Sequence, residues 1–218
     1  MIEARNLTVT YQGGDGPTVQ DASLRVAPGE LVLLAGPTGC GKSTLLNCLN
    51  GVMQHESSAQ LEGAVTLDGT DLRGMGLAAI CRRVGSVFQD PDAQICTATP
   101  ETEVAFGLEN LAVPPDEMPA RINEALAAVG LQASQDQAAG TLSGGQKQRL
   151  VIACALALRP DYLLLDEPIS QLDPRGAQEI LALLAQLRRE HGLGIVLVEH
   201  RLDETVQMAD RVMLMEDG

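Results

Sequence analysis

GPTGCGKST, residues 36–44, stands between the apolar run LVLLA (31–35) and STLLNCLN (43–50), whose apolar residues recur at helical spacing. This is the template G-x-x-x-x-G-K-[ST] in the strand-loop-helix context that gives it meaning. Gly36, Gly39 and Gly41 let backbone N–H groups converge on phosphate oxygens, and the helix N-terminus adds positive potential. Lys42 is placed to span terminal phosphates and Ser43 to reach Mg2+, with Pro37, Thr38, Cys40 and Thr44 completing the cradle. Cys40 carries two readings: a thiol made reactive by that potential, or a small residue filling a tight loop.

Working outward, further apolar runs end in polar residues or glycine: RVGSVFQ (83–89), DYLLLDE (161–167), GIVLVEH (194–200) and RVMLME (211–216). Their alternation with helical patterns predicts a mostly parallel sheet flanked by helices, with ligands beyond the carboxyl ends of its strands. DYLLLDEP delivers Asp166 and Glu167 to that edge. Asp166 is suited to hold the metal through water, and Glu167 to orient and deprotonate an attacking water. As neighbours on a strand they are expected to point to opposite faces and so divide those tasks.

The flanks read differently. IEARNLTVTY (2–11) alternates and precedes QGGDGP, and AVTLDG (64–69) ends in a turn dipeptide, which places an antiparallel β layer at the N-terminal side. From about 90 to 160 the pattern is helical. Thr99-Pro100 reads as an N-cap with proline at the first helical position, and ARINEALAAVG (120–130) as an amphipathic helix with a glycine stop. His191, in REHGLG, reads as a cation at a helix C-terminus.

Composition narrows the function. The 29 acidic against 15 basic residues give a formal net charge of −14, which disfavours a non-specific nucleic-acid binder. Five cysteines with no CxxC pair indicate neither a disulfide framework nor a zinc site. The unbroken apolar run VIACALAL (151–158) is less than half the ~18 residues that a membrane span needs, so a membrane link has to run through a partner.

TLSGGQKQRL (141–150) offers a hydroxyl, bare glycine amides and basic groups at the start of a helical pattern, which makes a second anion site. LSGGQ at 142–146, between GPTGCGKS and LLLDEP, resembles the signature motif of ABC transporter ATP-binding subunits. The likeness covers essentially the whole chain. It implies that Ser143, Gly144, Gly145 and Gln146 close over ATP bound by a second, head-to-tail subunit, in a homo- or heterodimer. Gln89 then resembles the Q-loop glutamine that meets Mg2+. Asp173, in SQLD, resembles the D-loop aspartate, His200 the switch histidine on the γ-phosphate, and Tyr11 the aromatic that stacks on adenine.

The implied fold is α/β, a P-loop NTPase of the ABC ATPase type with a mostly parallel core sheet, an N-terminal antiparallel β layer and an inserted helical subdomain at about 90–160. Residues 1–218 are expected to form a single ATP-binding domain whose C-terminal end, at the turn signal MEDG, is cut short, as an excised domain or as half of a fused tandem pair. VFQDPDAQICTATPETEVAFGLENL and VEHRLDETVQMADRV are most similar to the ATPases of energy-coupling factor importers, which serve vitamins and transition metals. That implies an ATPase at the cytoplasmic face of the membrane, held by an integral membrane transport subunit, with no nucleic-acid partner. Asp90 or Asp92 is expected to receive a basic residue of that subunit. The alternative is a soluble ABC ATPase acting on ribosomes or DNA, against which stand the acidic charge and the absence of a long coiled-coil insert. A subunit that binds nucleotide without turnover is disfavoured by Glu167 and His200.

Overall fold

A computed structural model describes residues 1–218. The alternating first stretch forms β1 (Ile2–Tyr11), flanked antiparallel by β2 (Val19–Val26) and, further along the chain, β4. Ile2 and Ala4 are buried, and so are Leu7 and Val9, which have the opposite parity. A bulge reconciles them: Asn6 takes a left-handed φ of 47° where the register with both neighbours shifts. β2 escapes the sequence reading because Asp21, also left-handed at φ 48°, interrupts its alternation.

β3 (Leu31–Ala35) runs into the glycine loop and α1 (Lys42–Leu49). β4 (Ala59–Leu67) and the short β5 (Thr70–Asp71) complete a four-stranded sheet of order β2-β1-β4-β5. After α2 (Leu77–Cys81) and β6 (Val84–Val87) the chain turns helical: α3 (Pro91–Gln94), α4 (Pro100–Asn110), α5 (Met118–Ala128) and α6 (Gly144–Ala157). Thr99 caps α4 in a capping box with Thr102, and Gly130 ends the α5 segment at φ 72°.

β7 (Tyr162–Asp166), α7 (Pro174–His191), β8 (Gly194–Val198), α8 (Leu202–Thr205) and β9 (Arg211–Leu214) follow. α7 starts at the Asp173 cap, carries Arg188, Arg189 and His191 in its last turn, and stops at left-handed Gly192. The second sheet is five-stranded, wholly parallel, in the order β6-β7-β8-β3-β9.

Strands β3, β7 and β8 are buried on both faces, which explains their continuous apolar runs. Leu31, Leu33, Leu163, Leu165, Ile195 and Leu197 face a core shared with α4–α7. Their neighbours Val32, Leu34, Leu164, Val196 and Val198 face the antiparallel sheet and α1. Removing each such side chain from water stabilises the fold by about 1.5–3 kcal/mol. That burial anchors strands β6, β7, β8 and β3, whose carboxyl ends lie side by side and are followed by Gln89, Asp166-Glu167, His200 and the glycine loop.

Candidate nucleotide site

The loop after β3 needs its glycines for two different reasons. Gly36 and Gly41 have φ of 156° and 100°, and a Cβ on them would lie 2.1 Å from the Met215 carbonyl and 2.4 Å from the Thr18 carbonyl. Gly39, at φ 84°, has nothing within 4 Å of its Cβ position and faces outward with exposed Pro37 and Thr38. Gly41 is the N-cap of α1 and no side chain caps that helix, so its first-turn N–H groups have no side-chain acceptor. An anion fits there. Lys42 is buried and donates from Nζ to the carbonyls of Gly36 (2.9 Å) and Pro37 (2.7 Å). The Tyr11 hydroxyl stands 3.4 Å from Thr44 Oγ1, at the end of β1. The Cys40 thiol is buried against the apolar core, and its Sγ also lies 3.9 Å from Lys42 Nζ.

Asp166 is the last residue of β7, but Glu167 is not on the strand: its φ is +48°. The two carboxylates therefore diverge because the backbone turns left-handed, rather than by the alternation of a strand. Burial raises the Asp166 carboxyl above the usual range, the Ser43 hydroxyl beside it lowers it, and neighbouring Glu167 raises it further. A hydroxyl and a carboxylate together are hard oxygen donors of the kind Mg2+ takes. The Glu167 carboxylate is held at both oxygens, Oε1 lying 2.8 Å from His200 Nε2 and Oε2 accepting from Gln89 Nε2 at 3.0 Å. One cluster thus gathers Tyr11, the loop 36–44, Gln89, Asp166, Glu167 and His200.

Ser143 and Asp173 form a second cluster. Ser143 caps α6, its Oγ accepting from the Gln146 N–H (3.3 Å), while Gln146 Oε1 accepts from the Ser143 N–H (2.9 Å). Gly145 has open space at its Cβ position. Asp173 caps α7 by accepting from the Gly176 N–H at 2.6 Å. Both helix starts, with Arg149 and Arg175, line a hollow of about 520 Å³ that none of the first cluster lines.

Sequence reasoning missed a groove of about 290 Å³ beside β6, rimmed by Phe88 and Phe106, which are 47% and 44% exposed. Only a residue count of four aromatics, two of them here on a surface, could have signalled it. At its floor Glu103 is buried and accepts from the N–H groups of Thr97 (2.6 Å) and Cys96 (3.0 Å). Asp90 and Asp92 are engaged within the chain: Asp90 caps α3, and Asp92 Oδ1 lies 2.5 Å from Lys147 Nζ.

A family model described as ABC transporter matches residues 19–170. A putative ABC transporter ATP-binding protein of Methanosarcina acetivorans is 46% identical over 218 residues, which are 100% of this chain and 34% of that protein. One of Streptomyces coelicolor is 44% identical over 215 residues, 99% of this chain and 38% of that protein. The chain thus spans about a third of the length of the curated relatives it matches. Among solved structures, cbiO1 of Clostridium perfringens, described as part of the ABC transporter complex cbiONQ, aligns with a TM-score of 0.86 at 32% identity. That alignment covers 100% of this chain and 85% of cbiO1. A dimeric ATP-binding cassette in a post-hydrolysis state, bound to ADP and Pi, aligns with a TM-score of 0.83 at 29% identity, covering 100% of this chain and 95% of that one.

Proposed function

On the premise that this chain belongs to the ABC transporter family of ATP-binding proteins, we propose that it is the ATP-hydrolysing cassette of an importer for a small solute, a vitamin or a transition metal. The observation that carries this reading is the pair of separate clusters: a complete phosphate and hydrolysis group around Lys42 and Glu167, and a second anion-suited helix start at Ser143 that the first does not use. In a head-to-tail dimer each chain would complete the other's site. The second solved relative is itself a dimer bound to ADP and Pi.

In this reading residues 1–218 are one ATP-binding domain, with 90–160 its helical part. Tyr11 stacks on adenine, and the N–H groups of 36–44 and Lys42 hold the phosphates. Ser43, Gln89 and Asp166 would hold Mg2+, which when bound neutralises charge on the β- and γ-phosphates. Glu167 accepts the proton of the attacking water as the bond from the γ-phosphorus to ADP breaks. His200 fixes the orientation of that carboxylate and donates toward the γ-phosphate. Ser143, Gly144, Gly145 and Gln146, with Asp173, face the nucleotide of the second subunit.

No helix is long and apolar enough to cross a membrane. The groove rimmed by Phe88 and Phe106 is where an integral membrane subunit would dock, its apolar face on the two rings. In this reading the chain works at the cytoplasmic face of the membrane, held there by that subunit. The importer subtype rests on the sequence stretches quoted above and on the likeness to cbiO1. Purification of the full natural chain from membranes tests it. A copurifying integral membrane protein is the expected outcome, and cosedimentation with ribosomes instead would overturn it.

A further inference from the structure

His200 is flanked by two charged side chains that hold the same backbone segment. Glu199 is 1% exposed; its Oε1 accepts from the Ile169 N–H (3.0 Å) and its Oε2 from the His200 N–H (3.3 Å). Arg201 donates from Nη2 to the Leu172 carbonyl (3.0 Å), and its Nη1 is buried without a partner. The stretch from Glu167 onward is two successive turns: the N–H and Oγ of Ser170 donate to the Glu167 carbonyl at 3.1 and 2.9 Å, and between the two anchors the Leu172 N–H donates to the Ile169 carbonyl at 3.2 Å. It ends at Asp173, which lines the Ser143 hollow.

The contacts therefore close a ring. Glu167 begins the turn 167–170, Glu199 and Arg201 grip residues 169 and 172, and His200 between them returns to the Glu167 carboxylate. Burying a carboxylate and part of a guanidinium is costly unless they are hydrogen-bonded, and here the bonds they make to the backbone of residues 169, 172 and 200 fix the geometry of the segment. Apolar side chains would pack at these positions without that cost. They would leave the His200 loop free of the turn.

We propose that Glu199 and Arg201 are positioning residues for ATP hydrolysis: they clamp the loop carrying His200 to residues 169–173. The Glu167–His200 pair then moves as one body with the surface that meets the second subunit. The inference rests on the cassette reading above and deepens it, since it names the side chains that hold the hydrolytic pair to that surface.

The test is steady-state ATP hydrolysis by the full natural chain and its Arg201→Met, Arg201→Lys and Glu199→Gln variants. A misplacement of about 1 Å in such a group costs on the order of 10²-fold in rate. Arg201→Met is therefore expected to lower kcat about 10- to 100-fold while KM for MgATP stays within about twofold. Arg201→Lys keeps a donor for the Leu172 carbonyl and is expected to restore most of that loss. Glu199→Gln keeps an acceptor for Ile169 but turns an NH2 toward the His200 N–H, and is expected to lower kcat by an intermediate factor. Unchanged kcat in Arg201→Met, or a Lys variant no better than Met, overturns the clamp. If Arg201→Met does not fold, Glu199→Gln decides alone, and wild-type kcat there overturns it. Turnover by the wild-type chain, measured first, tests the cassette reading separately; with it present, these outcomes bear on the clamp only.

Discussion

Nε2 of His200 stands 2.8 Å from Oε1 of Glu167, and the two residues follow the carboxyl ends of neighbouring strands β8 and β7. Gln89, after the next strand, takes the other oxygen of the same carboxylate. Glu167 itself is in the left-handed region, a conformation that costs a non-glycine residue about 1–3 kcal/mol and persists where the surroundings enforce it. Here they are the β7 core below and two side-chain partners above.

The first prediction concerns that carboxylate. Glu167→Gln keeps the shape of the side chain but removes the proton acceptor, so turnover is expected to fall about 10²- to 10⁴-fold. ATP binding is retained and an ATP-dependent dimer accumulates. ATPase assay and gel filtration with and without ATP check this, and near-wild-type turnover would refute the role of general base.

Two glycines of the loop separate backbone conformation from space. Gly39→Ala meets nothing within 4 Å and carries only the left-handed penalty, about 1 kcal/mol. Gly41→Ala adds a collision with the Thr18 carbonyl, backbone that cannot swing away, and is expected to cost at least about 2 kcal/mol more. Thermal unfolding of the two variants ranks them; equal losses would contradict the loop geometry.

Stability toward acid should depend on Asp210. Its carboxyl lies below the usual range because it accepts from the Leu31 N–H and pairs with Arg188. A folded value below the unfolded one means that the unfolded chain takes up the proton first as pH falls. The contribution is complete above the ordinary Asp value and is lost as pH drops through the lower folded value. For this half-exposed group Asp210→Asn is expected to cost about 1 kcal/mol near neutrality, with the gap closing below about pH 3.9. Thermal unfolding of both proteins at pH 7 and pH 3 measures it. A gap independent of pH would rule out the ionised carboxylate as its source.

The groove supplies the fourth prediction. Replacing Phe88 and Phe106 together by Ser removes two rings that are 47% and 44% exposed, so roughly half of each ring's burial is lost and the fold is expected to weaken by about 1–3 kcal/mol. Assembly with the membrane subunit should be lost while ATP affinity of the isolated cassette is unchanged. Copurification and nucleotide titration read the two effects, and normal assembly would exclude the groove as the docking face.

What the sequence determined by itself was everything written in local spacing. Apolar runs gave strands β3, β6, β7, β8 and β9, and for β3, β7 and β8 the reason is burial on both faces, which needs an apolar residue at every position. The loop 36–44, the Thr99 cap and the Ser143 helix start were legible for the same reason, since each is a contact among residues a few positions apart. Tertiary structure alone decided what depends on chain segments meeting. β2 forms only because β1 offers it an edge, and its bulge hides the alternation. Glu167 turns left-handed against the expected strand alternation because Gln89 and His200 claim its two oxygens. The Phe88–Phe106 rim and the grip of Glu199 and Arg201 on residues 169–172 join positions far apart in the chain, and no period or motif encodes such a distance.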